Sequence, residues 1–386
     1  MVNRTAIKRI QNSKKSILLL GPRQVGKSTL CRGLNPDLVI NLADEALFLK
    51  FSKDPERLKR EIDSIKRPSI ILIDEIQRVP SLLNSIQAYL DQHSKTRFIL
   101  TGSSARKLKR GGANLLPGRI ILEYLDPLSI WELGNKFKLE KALNIGSLPG
   151  IYLDEAESNE VLSTYVQVYL KEEIQAEALS RNIGSFARFL DAAAEASGQW
   201  INYSKLASDT ETPKETIRRY YEILEDTLIV HRVPPFQLQK NHRRLSQRDR
   251  FFFFDVGVRN SILGLVNQNL PLSEKGKLFE QWIVLQVIGF IHAHKKSWKV
   301  SSFRTDTGLE VDLIIETPQK NIAVECKYSQ NVGVSDLVGL QAFEKLSKKK
   351  CEKIVLNLST RRQLFPTKER VVHFQDFLLK ELPKIS

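Results

Sequence analysis

Short runs of consecutive apolar residues recur through the first 150 residues and alternate with longer amphipathic stretches. The apolar runs have the length of buried strands, and a stretch such as Pro80–Gln92 has the periodicity of a helix. The predicted strands are Ser16–Leu20, Leu38–Leu42, Ser69–Asp74, Arg97–Thr101 and Arg119–Glu123. Because strands that alternate with helices at this spacing form right-handed βαβ units, this region is predicted to be an α/β domain around a parallel sheet.

The middle of the chain, from about residue 161 to residue 235, has the apolar spacing of helices. The predicted elements are helices at Ser185–Ser197, Tyr203–Ser208 and Pro213–Thr227, and a strand at Leu228–Val233. This succession is typical of a winged helix-turn-helix, and its longer helix carries Lys214, Arg218 and Arg219, which could face DNA. A packing module or an ATPase lid whose basic residues are merely exposed explains the same pattern.

The C-terminal part of the chain returns to an α/β pattern. The predicted elements are a helix at Lys275–His292, strands at Lys299–Thr305, Leu309–Glu316 and Asn321–Ser329, a helix at Ser335–Lys348 and a strand at Glu352–Leu358. Pro318 and Asn321 mark a turn, so the second and third of these strands should pair as a hairpin. The chain is therefore predicted to hold three domains, at residues 1–150, 151–240 and 241–386.

Residues Gly21–Ser28 read Gly-Pro-Arg-Gln-Val-Gly-Lys-Ser between an apolar strand and a predicted helix, which is the context of a phosphate-binding P-loop. Backbone N–H groups of such a turn point at nucleotide phosphates, Lys27 adds a positive charge, and Ser28 offers a hydroxyl to Mg²⁺. We therefore expect ATP and Mg²⁺ as cofactors. The candidate nucleotide-binding residues of this segment are Gly21, Pro22, Arg23, Gln24, Val25, Gly26, Lys27, Ser28 and Thr29.

Two further predicted strands end in side chains that suit the same chemistry. Ser69–Glu75 is a β-branched apolar run that ends in two carboxylates, which a parallel sheet delivers to its carboxyl edge. Asp74 would hold Mg²⁺ through water, and Glu75 would polarise the attacking water. Thr101 and Ser103, at the end of another strand, are candidates for sensing a γ-phosphate, and Thr-Gly-Ser is also ordinary turn chemistry.

A second group of candidate residues lies on the predicted hairpin. With the period-two alternation of a strand, Glu325 and Lys327 point to one face, and hairpin pairing can bring Asp312 beside them. Two carboxylates, Asp312 and Glu325, would hold a divalent metal ion. The lysine beside them is a cation that could orient or deprotonate water, as phosphodiester hydrolysis requires. The alternatives are an alternating strand that happens to contain these residues and a nuclease-like fold that only binds.

Length and composition set outer bounds. With 386 residues, of which 42% are hydrophobic and 27% charged, the chain is long enough for two or three globular domains. No apolar stretch approaches the roughly 20 residues of a membrane-spanning helix, and the first residues lack the apolar core of a signal peptide. We expect a soluble, cytoplasmic protein. Cys31, Cys326 and Cys351 are widely spaced in apolar surroundings, which indicates a reducing compartment and a role in packing.

The formal net charge of +15 narrows the choice of partner. Basic residues cluster at 106–110, at 240–250 with Arg243, Arg244 and Arg248, and at 345–350. A single cluster is usually a solvated face, but an excess of this size favours a polyanion, because neutralising phosphates releases counterions. DNA is the leading candidate, and an acidic protein or a membrane surface are the alternatives.

The C-terminal succession, with Glu280 on its first helix, resembles the PD-(D/E)XK restriction-endonuclease-like fold, whose catalytic motif would be carried by Asp312, Glu325 and Lys327. The whole chain is similar to a widespread prokaryotic family in which an AAA+ type ATPase is fused, through a winged-helix region, to such a domain of unknown function. The segments that carry this resemblance are residues 21–30, 73–77, 100–104, 117–119 and 255–257, with the Glu-Val-Asp and Glu-Cys-Lys sequences.

The resemblance has two consequences for individual residues. By similarity, Arg119 is a candidate for completing an active site in a homo-oligomer, as arginine fingers do. Relatives often have a Gly-Gly-Phe-Pro-Glu-like turn before the helical region, whereas residues 146–150 here read Gly-Ser-Leu-Pro-Gly, so the acid of that turn is absent. We therefore predict an ATP-hydrolysing, DNA-associated protein with a Mg²⁺-dependent nuclease-like domain. The alternative is an ATP-regulated winged-helix module that binds DNA or protein and carries an inactive nuclease fold.

Overall fold

The computed structural model describes residues 2–65, 69–93, 95–104, 118–154, 157–170, 183–237 and 245–385. These residues form two compact units. One unit comprises Met1–Leu128, Asp226–Ile229 and His292–His294, and the other comprises Ser129–Glu225, Val230–Ile291 and Lys295–Ser386. The domain boundaries expected at residues 150 and 240 stay predictions.

The first unit is built on a sheet whose described strands are all parallel. The strands are β1 (Ser16–Leu20), β2 (Leu38–Asn41), β3 (Ile70–Asp74), β4 (Arg97–Gly102) and β5 (Ile120–Tyr124), in the spatial order β2-β3-β4-β1-β5. Every residue of β1 is buried, which explains its uninterrupted apolar sequence. Each strand lies within one residue of its expected bounds, so the predicted α/β fold with a parallel sheet is confirmed.

One helix precedes the first strand of this sheet and four lie between its strands along the chain. They are α1 (Ile7–Asn12), α2 (Lys27–Arg32), α3 (Glu45–Lys53), α4 (Arg57–Asp63) and α5 (Leu82–Gln92). In α5, Leu82, Leu83, Ile86 and Tyr89 are buried, which is the helical spacing expected from the sequence. These side chains belong to the same apolar core as Phe98 of β4, so the helix is fixed by packing onto the sheet.

The second unit begins with a helical region, as expected. Its helices are α6 (Ile130–Leu133), α7 (Leu139–Ile145), α8 (Pro149–Tyr152), α9 (Ser158–Thr164), α10 (Ile183–Glu195), α11 (Tyr203–Asp209) and α12 (Lys214–Asp226). Two short strands, β6 (Val230–Val233) and β7 (Arg250–Phe253), pair antiparallel after them. The buried side chains of α12 include Ile217, Tyr220 and Tyr221, which fix the face it turns to the core.

The C-terminal part contains α13 (Val256–Ile262), α14 (Leu272–His294), α15 (Val338–Leu346) and α16 (Phe374–Asp376). The described strands of its sheet are β8 (Lys299–Arg304), β9 (Glu310–Glu316), β10 (Asn321–Cys326), β11 (Cys351–Asn357), β12 (Gln363–Leu364) and β13 (Arg370–His373), in the order β12-β13-β11-β10-β9-β8. The expected hairpin is confirmed, because β9 and β10 are antiparallel neighbours with Leu313 opposite Val324. Strand β11 then runs parallel to β10.

Short 3₁₀ or π segments complete the described elements, at Ile76–Arg78, Gly134–Lys136, Tyr165–Leu170, Val334–Leu337, Phe377–Glu381 and Leu382–Lys384. Throughout the described ranges, the helices are too short or too polar to cross a lipid bilayer. Cys31 and Cys326 are buried free thiols and Cys351 is half-buried, in agreement with the packing role expected of them.

Candidate functional site

The P-loop links β1 to α2 through a tight turn. A Cβ on Gly21 would lie 2.3 Å from the carbonyl oxygen of Leu125, so only glycine fits at that position. Gln24 and Gly26 adopt left-handed backbone conformations, with φ angles of 63° and 92°. Backbone turns that pass through this region form concavities lined by N–H groups, which bind anions.

Lys27 is the first residue of α2, and its side chain is only 5% exposed. Its Nζ donates hydrogen bonds of 2.8 Å to the carbonyl oxygens of both Gly21 and Pro22. The ammonium group therefore lies against the loop that is expected to receive the phosphates. Because hydrogen bonds to ionised acceptors are roughly twice as strong as those to neutral ones, a phosphate oxygen is a better partner for it than either carbonyl.

The other candidate residues of the loop differ in exposure. Val25 is buried, Arg23 and Ser28 are half-buried, and Gln24 and Thr29 are exposed. Arg4, which the sequence did not single out, donates from Nη1 to the carbonyl oxygen of Val25 at 2.7 Å and from Nη2 to that of Asp126 at 2.5 Å. These two hydrogen bonds hold the loop in place. A lone basic residue before the first strand gives no sequence signal for such a role.

Asp74 lies at the carboxyl end of β3 and is 4% exposed. Its Oδ1 accepts a hydrogen bond from Thr101 Oγ1, and this hydroxyl in turn accepts from the backbone N–H of Glu75 at 3.1 Å. Burial and the charge of Asp74 raise the pKa of the Cys31 thiol to about 12, while the Lys27 ammonium lowers it. Strands β1 and β3 lie on either side of β4, so the P-loop that follows β1 and Asp74 at the end of β3 are at the same edge of the sheet.

Glu75 follows Asp74 in a left-handed backbone conformation with φ of 60°, which costs a non-glycine residue about 1 kcal/mol or more. Its carboxylate accepts a hydrogen bond from Gln77 Nε2, and the same amide donates to Ser103 Oγ at 3.0 Å. Gln77 Oε1 is buried without a hydrogen-bond partner among the described residues. Gln77 therefore positions Glu75 next to Ser103. The sequence signal for this role is weak, namely that Gln77 lies two residues after Glu75.

Arg119 is bonded within its own unit. Its Nη2 lies 2.6 Å from Asp91 Oδ1 on α5, and its side chain is 38% exposed. The expected role of Arg119 in a homo-oligomer stays a prediction. Pro117, the first residue of the Pro-Gly-Arg motif at 117–119, lies outside the described residues.

The structure brings together the residues expected to form the second site. Asp312 lies on β9, Glu325 on β10 and Glu280 on α14, and Lys327 directly follows β10. Asp312 Oδ2 accepts a hydrogen bond of 2.8 Å from the backbone N–H of Cys326, and Lys327 Nζ lies 3.0 Å from Glu325 Oε1. The hairpin register thus places the three side chains as the alternation predicted.

This carboxylate cluster is buried, and burial shifts its pKa values. It raises the pKa of Glu325 to about 9 and that of Glu280 to about 8, and the charge of Asp312 acts in the same direction on both. Burial also raises the pKa of Asp312, against the opposing effect of nearby cations. For Lys327, burial lowers the pKa but the charge of Glu325 outweighs it, so the net shift is upward. The cluster therefore stabilises cations and resists further negative charge.

Arg250, the first residue of β7, supplies one such cation and was not among the residues expected here. Its guanidinium, 5% exposed, forms an ion pair with Glu280 and donates to the carbonyl oxygen of Asp312 at 2.9 Å. An arginine at the start of an entirely buried aromatic strand, Arg250–Phe253, was the available sequence signal, because a buried charge must have a partner.

The fit of this cluster to a metal ion rests on two carboxylates. Among the described residues, no three His, Cys, Asp or Glu side chains are arranged to hold one metal ion. Glu325 Oε2 is buried and has no hydrogen-bond partner in the described part of the chain. With Asp312 it offers hard oxygen ligands of the kind that Mg²⁺ and Mn²⁺ prefer.

Two adjoining cavities open beside the cluster. One, of about 350 Å³, is lined by Glu280, Asp312 and Arg250, and the other, of about 430 Å³, is lined by Arg248. Trp200 and Arg304 line both cavities, so the two form one groove, whose basic end is lined by Arg248 and whose other end is lined by acids and cations alike. Of the basic clusters expected to bind DNA, residues 106–110 and Arg243 and Arg244 lie outside the described residues, and Arg248 is exposed.

Asp255 connects two segments that the sequence singled out separately. It is 2% exposed and accepts hydrogen bonds from the backbone N–H groups of Ser147 at 2.7 Å and Val258 at 3.1 Å. A Cβ on Gly146 would lie 1.9 Å from Asp255 Oδ1, so the glycine makes room for the carboxylate. The Gly-Ser-Leu-Pro-Gly turn is thereby anchored to α13.

Comparison with protein families gives matches to three segments of the chain. Residues 13–134 match a family described as AAA domain. Residues 136–269 and 275–377 match two domains of unknown function, DUF8612 and DUF4143 respectively. The chain therefore contains an AAA-type ATPase domain, and the P-loop, Asp74 and Glu75 all fall inside it.

Relatives have been named but not characterised. An uncharacterized protein of Mycobacterium tuberculosis is 27% identical over 330 residues, which span 83% of this chain and 71% of that protein. An uncharacterized protein of Haemophilus influenzae is 23% identical over 341 residues, which span 83% and 81%. Among solved structures, replication initiator DnaA bound to AMPPCP and single-stranded DNA is 14% identical over 57% of this chain and 85% of that one, with a TM-score of 0.27. A TM-score this low supports no conclusion about this chain.

Proposed function

We propose that this protein hydrolyses ATP and associates with DNA. The observation that carries the ATPase part is the placement of Lys27 and Asp74, two buried residues of opposite charge, at the carboxyl edge of the same parallel sheet. Opposite charges buried beside a glycine-containing turn that leads into a helix suit a bound polyphosphate and its counter-ion. The match of residues 13–134 to the AAA domain supports the same function.

Each residue of the site has a defined part in this reaction. The backbone N–H groups of Gly21–Ser28 and the Lys27 ammonium would bind the phosphates. Ser28 and Asp74 would hold Mg²⁺, which neutralises phosphate charge, and the hydrogen bond from Thr101 fixes the orientation of the Asp74 carboxylate. Glu75, held by Gln77, orients and polarises the attacking water.

Two substitutions separate binding from turnover. We expect Lys27→Ala to weaken ATP binding about 10- to 100-fold, because it removes a charge-assisted contact to phosphate. We expect Glu75→Gln to keep ATP affinity and to lower the turnover number about 100-fold or more, because this carboxylate acts on water during reaction. Calorimetry and phosphate release measure the two quantities.

Lys15→Ala is the matched control, since Lys15 also bonds a backbone carbonyl in the same unit, that of Gly118 at 2.9 Å. It should bind and hydrolyse ATP like the wild type. Equal ATP affinity in the wild type and in Lys27→Ala would remove the P-loop from the proposal.

The exposed basic residues support association with DNA. On α12, Lys214, Arg218 and Arg219 are exposed, whereas Ile217, between them in sequence, is buried. Arg248 and Arg304 line the basic end of the groove. Together with the net charge of +15, these positions favour phosphate contacts over base readout. A winged helix in residues 183–233 would place α12 against the duplex.

Salt dependence tests this partner. If Lys214 and Arg219 contact phosphates, reversing both to Glu should weaken duplex binding for all sequences alike and flatten the log–log salt slope by about 0.9 per contact. Reversing Lys348 and Lys350, which are equally exposed, tests in the same way whether the basic cluster at 345–350 contacts phosphates. Binding that is undetectable at about 50 mM salt would assign the charge to another partner or to solubility.

We also propose that Asp312 and Glu325 hold a Mg²⁺ ion in a restriction-endonuclease-like domain. The buried, unpartnered Oε2 of Glu325 supports this site, and Lys327, paired with Glu325, would hold or move a proton of the attacking water. Bound there, Mg²⁺ would polarise a phosphodiester. Asp312→Ala should abolish metal binding that calorimetry detects in the nucleotide-free wild type.

A binding module without nuclease activity is the second candidate, and the ion pair between Arg250 and Glu280 favours it, because a protein cation already neutralises part of the cluster. Incubation with plasmid and single-stranded DNA, with and without ATP and Mn²⁺, decides between the two. Cleavage by the wild type that is lost in Asp312→Ala would establish the nuclease, and DNA binding without cleavage would establish the module.

A further inference from the structure

Arg250 is held in the carboxylate cluster from three directions. Its Nε donates to the carbonyl oxygen of Gly198 at 2.6 Å, its Nη1 donates to that of Asp312 at 2.9 Å, and its Nη2 pairs with Glu280 Oε1. A guanidinium has five N–H donors in a rigid fork, so three partners in different directions fix its position. The Arg250 side chain is 5% exposed, so the position of its guanidinium in the cluster is fixed by packing.

Glu280 is the carboxylate most affected by this arrangement. Of the residues that face it, Arg250 is the cation, and Asp312 and Glu310 are acids whose charges oppose its ionisation. Lys327, the other cation of the cluster, pairs with Glu325 and Asp336 instead. Glu280 therefore has its countercharge supplied by Arg250 and Glu325 by Lys327, whereas the charge of Asp312 interacts with both cations, most strongly with Arg250.

We infer that Arg250 is a positioning residue that withholds Glu280 from a divalent metal, so that the site gains this third carboxylate ligand only when the guanidinium is removed or displaced. This inference rests on the metal site proposed above for Asp312 and Glu325. The ion pair between Arg250 and Glu280 is the observation behind it, because an acid bound to a cation of the protein itself is not free to bind a metal ion.

The anchors of Arg250 belong to the helical region as well as to the sheet. The N–H of Gly198 donates to the carbonyl oxygen of Phe251 at 2.8 Å, and Trp200 pairs with Arg250 through a backbone bridge. The indole ring of Trp200 lies 5.5 Å from the guanidinium, and its Nε1 donates to Glu310 Oε2 at 2.9 Å. A shift of residues 198–200 would thus change the contacts of Arg250 and Glu310 together.

Binding of Mn²⁺ to the nucleotide-free full chain, measured by calorimetry and by electron paramagnetic resonance, tests the inference. The relevant signal is the component that Asp312→Asn abolishes. We expect Arg250→Met to tighten this binding about tenfold or more, because it frees a carboxylate beside the ion. Arg250→Met combined with Glu280→Gln should return to the wild-type affinity, since the freed ligand is then missing.

The chain offers a matched control in Arg259. This arginine is equally buried, at 4% exposure, and pairs with Glu274 Oε1 at 2.5 Å in the same unit. Arg259→Met should leave Mn²⁺ affinity within about twofold of the wild type, because its pair lies outside the cluster. Circular dichroism of each variant reports whether the fold is retained.

Glu280→Gln in the otherwise unchanged protein decides the matter even if Arg250→Met fails to fold. A withheld Glu280 contributes nothing to wild-type metal binding, so this variant should keep the wild-type affinity. A loss as large as that of Asp312→Asn would show that Glu280 already binds the ion and would overturn the inference. Wild-type Mn²⁺ binding that Asp312→Asn leaves intact would instead overturn the metal site proposed above.

Discussion

The two centres of this chain both contain a buried cation, but the cations have different partners. Lys27 donates to two neutral carbonyl oxygens, those of Gly21 and Pro22. Arg250 pairs with the carboxylate of Glu280 and also bonds two carbonyl oxygens. An ammonium held by carbonyls gains by exchanging them for phosphate, whereas a guanidinium paired with a buried carboxylate loses that partner if it moves.

The difference shows that buried charges are balanced in different ways in the two centres. The P-loop side of the first centre is arranged for an anion that comes from outside the chain. The second centre supplies its own counter-cations, Arg250 and Lys327, to three acids that burial makes reluctant to ionise. The buried cation thus suits an outside anion in the first centre and a structural ion pair in the second.

The largest expected effect concerns stability. Arg250→Met should lower the free energy of unfolding of its unit by about 3–5 kcal/mol, because it leaves Glu280 buried without its countercharge. Lys27→Met should cost about 1–2 kcal/mol, since it removes the hydrogen bonds to the carbonyl oxygens of Gly21 and Pro22. Urea unfolding at pH 7.5 measures both. Equal costs in the two variants would erase the distinction between the centres.

A third buried charge extends the comparison to pH. Asp255 is a buried anion held by neutral N–H groups, and burial raises its pKa from 3.8 to about 6. A raised pKa in the folded state stabilises the fold below about pH 4, and this contribution is lost as pH rises through about 6, by up to about 3 kcal/mol. Unfolding free energies from pH 4 to pH 7 should show this decline.

Asp255→Asn isolates the effect, because the amide does not titrate while the other acids of the unit still do. The wild type should lose more stability than this variant between pH 4 and pH 6. Parallel pH profiles would show that the pKa of Asp255 in the folded protein is close to its pKa in the unfolded protein. The turn at Gly146 would then not depend on protonation of Asp255.

The smallest expected effect concerns the brace behind the P-loop. Arg4→Met removes the hydrogen bond to the carbonyl oxygen of Val25 and should weaken ATP binding about two- to tenfold, since the loop becomes less preorganised. Arg9→Met is the control, because Arg9, on α1, follows Arg4 closely in the chain but pairs with Glu123. An unchanged affinity in both variants would confine the first centre to the loop itself.

Local sequence pattern predicted much of this architecture. The strands of the first sheet, the helix face of α12 and the β9–β10 hairpin all follow from the spacing of apolar residues and from turn residues, which act over a few positions of the chain. The P-loop and the Asp74–Glu75 pair were evident for the same reason, because their chemistry is contiguous in sequence. Asp312, Glu325 and Lys327 were accessible through strand alternation and one turn.

Only the tertiary structure revealed the residues that act across long separations. Arg250 meets Glu280 thirty residues later and Asp312 sixty-two residues later, and Arg4 meets Asp126 at a separation of 122. No local periodicity encodes such pairs, since they depend on which elements pack together. The sequence by itself determined which strands, turns and reactive side chains exist. Packing decided which buried charge faces which, because a charge taken out of water takes its partner from whatever element the fold places beside it.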